Sequence, residues 1–291
     1  MHFNLAEGVA SRGSPAGRLN WLSQLRGGSP YVMYTQRMFF WNHSYSSLIE
    51  NVAADEVLLD WAESSDCGPV IRFWESPEYG VVLGYGNSAA KEVSLAHTSA
   101  RDIPVVRRCS GGGTVVQGPG CFNYAFVLPV QWDPELNSIT GATRWVMGRL
   151  QLVFQALASQ KLLLPDNPLV GPDRYTVALA GDSDLTINGL KFSGNAQRRR
   201  KRYVLFHGTI LRSFDIAQIT ELLCHPSREP GYRHRRSHSE FLTNVGISQS
   251  DLVDTLVQFF HAVPLTARFS DQVVTDYVNS RYSTGSWNEK F

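Results

Sequence analysis

A run of three glycines preceded by two arginines is the segment of this chain with the clearest chemistry. It reads Arg107-Arg108-Cys109-Ser110-Gly111-Gly112-Gly113-Thr114, between two short apolar stretches. Glycines in succession cost conformational entropy, and they occur where a backbone approaches a ligand closely or takes a positive φ. Beside arginines, such a loop offers N–H donors and positive charge to a phosphate or carboxylate. We predict an anion-binding loop, although the same residues also suit a flexible turn with surface arginines.

A lysine that follows a tight turn is the second candidate. Asn188-Gly189 between two alternating segments is the strongest short-range signal for a β-hairpin, and Lys191 comes directly after it. A lysine ammonium can stabilise negative charge on a reacting phosphoryl or carboxylate oxygen, whereas most hairpin lysines are only solvated. Asp184, just before the turn, is a candidate Mg²⁺ ligand, because one or two carboxylates plus substrate phosphates suffice for that ion.

The pattern of apolar residues predicts the elements that must hold these segments. Apolar residues recur every three or four positions from Ser46 to Ala62 and from Thr140 to Leu164, which predicts two amphipathic helices. Two more helices are predicted from Ser248 to His261, with a Ser248/Asp251 cap, and from Asp271 to Arg281. Short apolar runs predict strands at 70–74, 81–83, 105–106, 114–116, 122–128, 204–206 and 209–211. We therefore predict an α+β fold with mixed or antiparallel sheets backed by helices.

Composition and charge narrow the class of protein. The chain has 291 residues with 27 Lys+Arg and 26 Asp+Glu, so no global field favours nucleic acid or an anionic membrane. No stretch approaches the ~20 apolar residues that span a bilayer. The four cysteines, Cys67, Cys109, Cys121 and Cys224, form no CxxC pair and are interpreted as free thiols of a reducing compartment. These observations predict a cytoplasmic protein with no membrane partner.

The first 30 residues differ from the rest of the chain. They are rich in small residues, end in Gly27-Gly28-Ser29-Pro30, and contain no continuous apolar segment of signal-peptide length. We predict a flexible N-terminal arm over residues 1–30 and a folded domain over residues 31–291.

From about Tyr45 onwards, the chain resembles the biotin and lipoate ligase superfamily, and specifically the lipoate-protein ligase A family. Members commonly show RRxSGGGxV, then an Asn in an aromatic strand, then DL…NGxKxSGxAQ with a downstream HGT. The matching residues here are Arg107 to Val115, Asn123-Tyr124, Asp184-Leu185, Asn188 to Gln197 and His207 to Thr209, and Arg72 to Trp74 is similar to the first sheet segment. The matches occur in the same order as in the family, which makes the set far more specific than any one motif.

The resemblance implies a catalytic domain with the biotin/lipoate ligase fold, which is similar to class II aminoacyl-tRNA synthetases. It implies ATP-dependent activation of lipoate or octanoate to an acyl-adenylate, and transfer to a lysine of a lipoyl domain or H-protein-type acceptor. ATP and Mg²⁺ are the implied cofactors, Lys191 is the implied catalytic residue, and Asp184 is the implied metal ligand. The residues implied to bind the substrate and acyl-adenylate are Arg72, Arg107, Arg108, Ser110, Gly111, Gly112, Gly113, Asn123, Gly194, Asn195, Ala196, His207, Gly208 and Thr209. Apolar strand residues would line a tunnel for the acyl tail.

Two departures from the family pattern affect these expectations. Ser183-Asp184 stands where many ligases have Asn-Asp for the metal. The accessory domain that usually follows the catalytic domain is missing after about Trp287, so the pattern predicts either a self-sufficient short ligase or one with a separate accessory subunit.

The alternative within the same fold is an octanoyl or lipoyl transferase that takes its acyl group from acyl carrier protein without ATP. Such enzymes work through a covalent thioester and need an activated cysteine near the lysine. Residues 175–183, where that cysteine is expected, contain none, and Cys109 and Cys121 are interpreted as structural.

Three other readings have less support. A biotin ligase would have a GRGRxxRxW type of loop in place of the glycine run. Nucleic-acid binding through residues 198–202, five successive cations, is physically feasible but better explained as a solvated loop or a docking site for an acidic lipoyl domain. His225, His234 and His238, among several arginines, are interpreted as a mobile polar loop that orders over the adenylate, not as a metal site.

Overall fold

The computed structural model describes residues 37–160, 162–166, 175–181, 183–224 and 229–291. The arm predicted over residues 1–30 and His225 of the polar loop lie outside the described residues. Within the described ranges the chain folds as α+β, with mixed sheets backed by helices, which confirms the predicted class.

The described strands are β1 (Phe39–Asn42), β2 (Val70–Glu75), β3 (Gly80–Leu83), β4 (Val105–Arg107), β5 (Val115–Gln117), β6 (Cys121–Pro129), β7 (Val177–Ala180), β8 (Asp184–Ile187), β9 (Leu190–Arg199), β10 (Tyr203–Leu211) and β11 (Val263–Pro264). The described α-helices are α1 (Leu48–Ser65), α2 (Ala89–Glu92), α3 (Leu95–Ala100), α4 (Ile139–Ser159), α5 (Ala217–Leu222), α6 (His238–Phe241), α7 (Gln249–Phe259), α8 (Asp271–Tyr277) and α9 (Gly285–Asn288). Short 3₁₀ turns cover Pro134–Asn137 and Gly231–Arg233, and a π-helical turn covers Val278–Tyr282.

Two sheets form the framework. The larger has the order β11-β1-β2-β6-β10-β9-β8-β7, parallel at the β11-β1-β2 end and antiparallel elsewhere. The smaller has the order β4-β3-β5 and carries the glycine run in the connection between β4 and β5. This connection is short, so the two arginines and the glycines stay next to the sheet edge.

Helix α1 is the central helix of the core. Ser47 accepts a hydrogen bond from the Glu50 backbone, and the Glu50 side chain accepts one from the Ser47 backbone, which together form a capping box. The helix packs against β6 and β10 and is buried on most sides, including three polar residues, Asn51, Asp55 and Glu56. Because burying a polar or charged group without a partner is costly, these three side chains require hydrogen-bond partners inside the protein.

Several sequence-predicted boundaries are corrected by the structure. The helix predicted to Leu164 ends at Ser159. Pro165 disfavours helical φ/ψ at Leu164 but does not restrict the residues between 159 and 164. The two strands predicted at 204–206 and 209–211 are one continuous strand, β10, through His207-Gly208. The helix predicted to Arg281 ends as an α-helix at Tyr277. In the described residues no helix is both long and apolar enough to cross a membrane.

Candidate functional site

Three motifs that lie far apart in sequence are neighbours in the large sheet. The antiparallel register pairs Asn123 of β6 with Thr209 of β10, and Thr209 with Gly194 of β9. Two residues along the same strand, His207 lies between Ala125 and Ala196. Because residues directly opposite one another share a face of the sheet, the HGT segment forms the middle of a continuous floor.

A series of hydrogen-bonded polar side chains crosses this floor. Ser110 Oγ is 2.6 Å from His207 Nε2, and His207 Nδ1 is 2.9 Å from Asp55 Oδ2. Arg72 donates to the other carboxylate oxygen of Asp55 at 2.5 Å, and to the side chain of Asn51 at 2.9 Å. In the neutral ring, Nδ1 then donates to the carboxylate, and Nε2 accepts a hydrogen bond from the Ser110 hydroxyl. These hydrogen bonds hold His207, and through it Ser110 at the start of the glycine loop, against Asp55 of helix α1.

The charge of Asp55 is stabilised by its partners. Burial alone would raise the pKa of this carboxyl, but the Arg72 guanidinium and the His207 ring outweigh it and hold the pKa below its usual range. Asp55 is therefore ionised in the folded protein, and its two oxygens bind Arg72 and His207.

The glycine loop, defined here as residues 110–114, is braced from inside by Arg108. Its guanidinium donates to the carbonyl of Gly113 at 2.8 Å, to that of Gly111, and to Ser110 Oγ at 3.0 Å. Burial lowers the pKa of Arg108 to about 10, so the group is still charged at neutral pH. Gly112 has φ +84, which favours glycine, and a Cβ there would lie 3.4 Å from Ala196 Cβ. The loop therefore lies directly against strand β9.

Lys191 emerges from the predicted hairpin. Asn188 and Gly189 both take positive φ, 48 and 80, as a two-residue type I′ turn requires, so the predicted turn is confirmed. Lys191 Nζ is 2.7 Å from Asp184 Oδ2, which also accepts a hydrogen bond from the Tyr232 hydroxyl. A Cβ on Gly194 would lie 3.1 Å from Lys191 Nζ, so the glycine leaves room for the ammonium group beside the strand.

The glycine loop, the floor and the lysine hairpin enclose one cavity of about 780 Å³. The predicted site residues that line it are Arg108, Gly112, Gly113, Asn123, Asp184, Lys191, Gly194, Asn195, Ala196, His207, Gly208 and Thr209. Its apolar wall includes Val52, Trp74, Val82, Val115, Leu223 and Phe241. An apolar wall that faces a cluster of charged groups can hold a molecule with a hydrocarbon tail and a polar head.

The other predicted site residues do not line the cavity. Arg107 lies outside because its guanidinium donates to backbone carbonyls, among them Asn87 at 2.6 Å and Asn288 at 2.7 Å. Arg72 is fully buried against Asp55, and Ser110 is buried under His207. Gly111 is exposed and is not among the residues that line the cavity. These four residues support the cavity wall and do not face its interior.

The basic run at 198–202 is bound within the chain. Arg200 forms hydrogen bonds to Asp60 at 2.7 Å and to Glu56 at 3.1 Å. The Arg202 backbone donates to the Glu63 carboxylate, and Arg199 donates to the carbonyl of Leu136 at 2.6 Å. Arg199, Arg200 and Arg202 thus hold the β9–β10 turn against α1 and its surroundings, whereas Lys201 in the same run is exposed.

A family model supplies the identity of this domain. The model described as the lipoyl protein ligase A/B catalytic domain matches residues 47–259, from the cap of α1 to the end of α7. The chain belongs to this family. The glycine loop, the floor and the lysine hairpin all fall within the matched range.

Bacterial relatives of this lipoyl protein ligase A/B domain are named octanoyltransferase LipM. Octanoyltransferase LipM of Macrococcus caseolyticus is 30% identical over 211 residues, which cover 70% of this chain and 75% of the relative. Octanoyltransferase LipM of Brevibacillus brevis is 25% identical over 259 residues, covering 82% and 93%. The protein is therefore an enzyme of the superfamily that contains lipoate ligases and octanoyltransferases.

Solved structures of lipoate ligases share the fold. The bipartite lipoate protein ligase of Thermoplasma acidophilum, described with its E2 lipoyl domain, superposes with a TM-score of 0.66 at 18% identity, covering 87% of this chain and 96% of that one. A lipoate-protein ligase A bound with ATP has a TM-score of 0.63 at 21% identity, covering 87% and 98%. At these identities the likeness establishes the architecture.

In this family member, polar groups of the protein itself contact the carboxylate of Asp184. Asp184 Oδ2 already accepts from Lys191 and from the Tyr232 hydroxyl. Across the described residues no group of three or more His, Cys, Asp or Glu side chains could hold a metal. Mg²⁺ needs only one or two carboxylates beside substrate phosphates, so the role of Asp184 as its ligand stays a prediction.

The cysteines of this domain differ in their relation to the cavity. Cys109 and Cys121 are buried, and burial strongly raises the pKa of both thiols, which keeps them protonated. Cys67 is half-buried near the end of α1, and burial raises its pKa to about 11. Cys224 is exposed and, among the described cavity residues, is the one cysteine in the wall.

Sequence reasoning missed four residues that shape the site. Asp55 was not recognised because an acidic residue in a helix usually marks the solvent face. Tyr232 and Arg233 belong to the segment interpreted as a mobile polar loop, whereas the structure packs Tyr232 on Asp184 and buries Arg233 in the cavity wall. Cys224 had no motif around it. Only the paired Asp-Glu inside an otherwise apolar helix, at 55 and 56, was a usable signal.

Proposed function

We propose that this enzyme transfers an octanoyl group from the thioester of an acyl carrier protein to a lysine of a lipoyl-domain or H-protein-type acceptor. The observation that carries the proposal is the cavity, where Lys191 and the glycine loop face an apolar wall. The choice of donor is supported by relatives named octanoyltransferase, at 30% identity over 75% of one such relative. This proposal replaces the ATP-dependent ligase that the sequence motifs favour.

The proposed reaction is an acyl transfer. The acceptor amine attacks the thioester carbonyl, a C–N bond forms, the C–S bond breaks, and the amine proton leaves with the thiol. Negative charge develops on the carbonyl oxygen during attack. We assign Lys191 Nζ, positioned 2.7 Å from Asp184, to that oxygen, with backbone N–H groups of Gly112 and Gly113 nearby in the same cavity.

The acyl tail is assigned to the apolar side of the cavity. Val52, Trp74 and Val82 belong both to the cavity wall and to the core cluster around α1. The wall is therefore backed by packed side chains and excludes water from the tail. Each methylene of the acyl chain buried there contributes roughly 0.8 kcal/mol to binding.

An assay with two acyl donors tests this function. Purified protein is incubated with a lipoyl domain and either octanoyl carrier protein without ATP, or octanoate with ATP and Mg²⁺, and the modified domain is measured by mass spectrometry. We expect octanoylation from the carrier protein alone. Modification that requires octanoate and ATP, with none from the carrier protein, would overturn the proposed donor.

If the transfer is covalent, Cys224 is the cysteine available for it, because the other three lie outside the cavity wall. For a covalent route we expect Cys224→Ser to lose transfer and to lose a hydroxylamine-sensitive octanoyl adduct on the protein. Cys67→Ser is the matched control and should behave as the parent does. Full activity of Cys224→Ser would mean that the acceptor lysine attacks the donor thioester directly.

The ATP-dependent lipoate ligase is the second candidate, and one observation favours it. Arg108 lines the cavity, and its buried guanidinium, whose N–H groups bind the glycine loop, forms no ion pair with a described carboxylate. Its uncompensated positive charge favours an anionic phosphate in the same cavity. Under this candidate ATP is the cosubstrate, lipoate or octanoate is the acyl source, and a separate accessory subunit remains a proposal.

We also propose a cytoplasmic location, and a division of the chain into an N-terminal arm at residues 1–30 and a catalytic domain at residues 31–291.

A further inference from the structure

The segment from Pro230 to Phe241 forms part of the cavity wall. Its 3₁₀ turn, Gly231–Arg233, is tied to the lysine hairpin through the hydrogen bond from the Tyr232 hydroxyl to Asp184. The Tyr232 ring also lies 5.6 Å from the ring of Phe241, at the end of α6. The segment is thus fixed to the same carboxylate that positions Lys191.

Arg233 is the residue of this segment whose side chain keeps a buried hydrogen-bond donor without a partner among the described residues. Its side chain lines the cavity and only 5% of the residue is exposed. Nε donates to the carbonyl of Arg236 at 3.0 Å and lies 3.6 Å from the Glu229 carboxylate, and the guanidinium carbon lies 5.0 Å from the Phe241 ring centroid. Nη2 is buried and has no hydrogen-bond partner among the described residues.

An unpartnered buried donor on a charged group is costly, so its retention points to a ligand outside the chain. The contacts through Nε and the ring fix the plane of the guanidinium and leave Nη2 without a partner among the described residues. A guanidinium edge held in this way matches two oxygens of a phosphate or carboxylate better than a lysine would. Arg108, also buried in the cavity wall without an ion-pair partner among the described carboxylates, adds a second positive charge to the same cavity.

We propose that Arg233 binds the phosphate ester of the acyl donor. The inference rests on the proposed function for the identity of the donor, and the ligand chemistry is a phosphate monoester or diester attached to the group that carries the acyl chain. Two sources share this chemistry: the phosphopantetheine arm of an acyl carrier protein, and the phosphate of an acyl-adenylate. The first belongs to the transferase and the second to the ligase.

Matched pairs of small probes test the proposal without turnover. Dissociation constants are measured by calorimetry for phosphopantetheine against pantetheine, and for AMP against adenosine, with the full-length protein. We expect the phosphorylated member of one pair to bind roughly tenfold to a hundredfold more tightly. Arg233→Gln should reduce that ratio to near one, and Arg233→Lys should restore part of it. The pair that responds identifies the source of the phosphate.

Arg235→Gln is the matched control, because Arg235 carries the same charge on the same turn but is exposed and does not line the cavity. It should leave both ratios unchanged. If Arg233→Gln disrupts the structure of the segment, both probes of a pair should bind more weakly by the same factor. If it removes only the phosphate contact, the phosphorylated probe alone should bind more weakly. The proposal is overturned if neither ratio depends on Arg233, or if Arg235→Gln lowers a ratio as much.

The two proposals fail in different ways. Octanoyl transfer from the carrier protein with ratios that ignore Arg233 would reject the phosphate site and keep the function. An Arg233-dependent ratio in a protein that transfers no octanoyl group would reject the function and keep the phosphate site.

Discussion

Replacing Lys191 with alanine is expected to lower acyl transfer by roughly a hundredfold to a thousandfold, the usual effect of removing one charged donor from a developing oxyanion. Lys191 is the cation that Asp184 holds at 2.7 Å in the cavity, next to the backbone of Gly194. Asp184 keeps its hydrogen bond from Tyr232 in the variant, so the fold should persist. The measurement is the rate of lipoyl-domain octanoylation, with circular dichroism as the check on folding.

Lys201→Ala provides the control for the loss of a lysine. Lys201 is exposed in the turn between β9 and β10, outside the cavity wall, so its removal should leave the rate unchanged. A Lys191→Ala protein with full activity would show that the chemistry takes place elsewhere, whichever acyl donor the enzyme uses.

Replacing Asp55 with asparagine is expected to cost about 3–5 kcal/mol in the free energy of unfolding, because it leaves the buried Arg72 guanidinium without its counter-ion. Arg72 is fully buried and lies 2.5 Å from Asp55. His207 loses its orienting acceptor as well, so activity should fall even under conditions where the variant is folded. Urea denaturation at neutral pH measures the change in stability.

The pH dependence of this effect follows from the direction of the shift. Because the folded-state pKa of Asp55 lies below its usual value, its contribution is present above the unfolded pKa of about 4 and is lost as the pH falls through the folded pKa. The difference in stability between the parent protein and Asp55→Asn should therefore be largest near neutrality and shrink in acid. A difference independent of pH would contradict the assigned ion pair.

Asp60→Asn is the control on the same helix. Asp60 binds Arg200 at 2.7 Å, but both side chains are more than a quarter exposed, so this pair should contribute no more than about 1 kcal/mol. An equal loss of stability in the two variants would mean that burial of the Arg72–Asp55 pair is not what sets the effect.

Local signals allowed much of the framework to be predicted. The Asn188-Gly189 turn depends on two adjacent residues that accept positive φ, and both take it, so the position of Lys191 followed from short-range rules alone. The cap of α7 at Ser248 and Asp251 formed as predicted for the same reason. The glycine loop was recognised because few other arrangements need three glycines in succession.

The direction in which each side chain points could not be predicted from the sequence. Arg107 and Arg108 are adjacent, yet one points to residues near the C-terminus and the other into the cavity, because successive residues at a strand end face opposite ways. Asp55 reaches His207 through a separation of 152 residues, and no local pattern reports such a pair. Whether the acyl group comes from an acyl carrier protein or from a free acid activated by ATP depends on how such distant groups meet, so no local pattern in the sequence decides it.

The attachment of Arg107 has a consequence for how the domain folds. Its guanidinium and backbone bind Trp287 and Asn288, about 180 positions later in the chain, and the Trp287 ring nitrogen returns a hydrogen bond to the Arg107 carbonyl. Contacts of such high sequence separation close late, after the loop entropy between them has been overcome. The glycine loop that follows Arg107 therefore reaches its final position only once residues 287 and 288 have been synthesised. A nascent chain on the ribosome would have the motif long before it had an organised pocket.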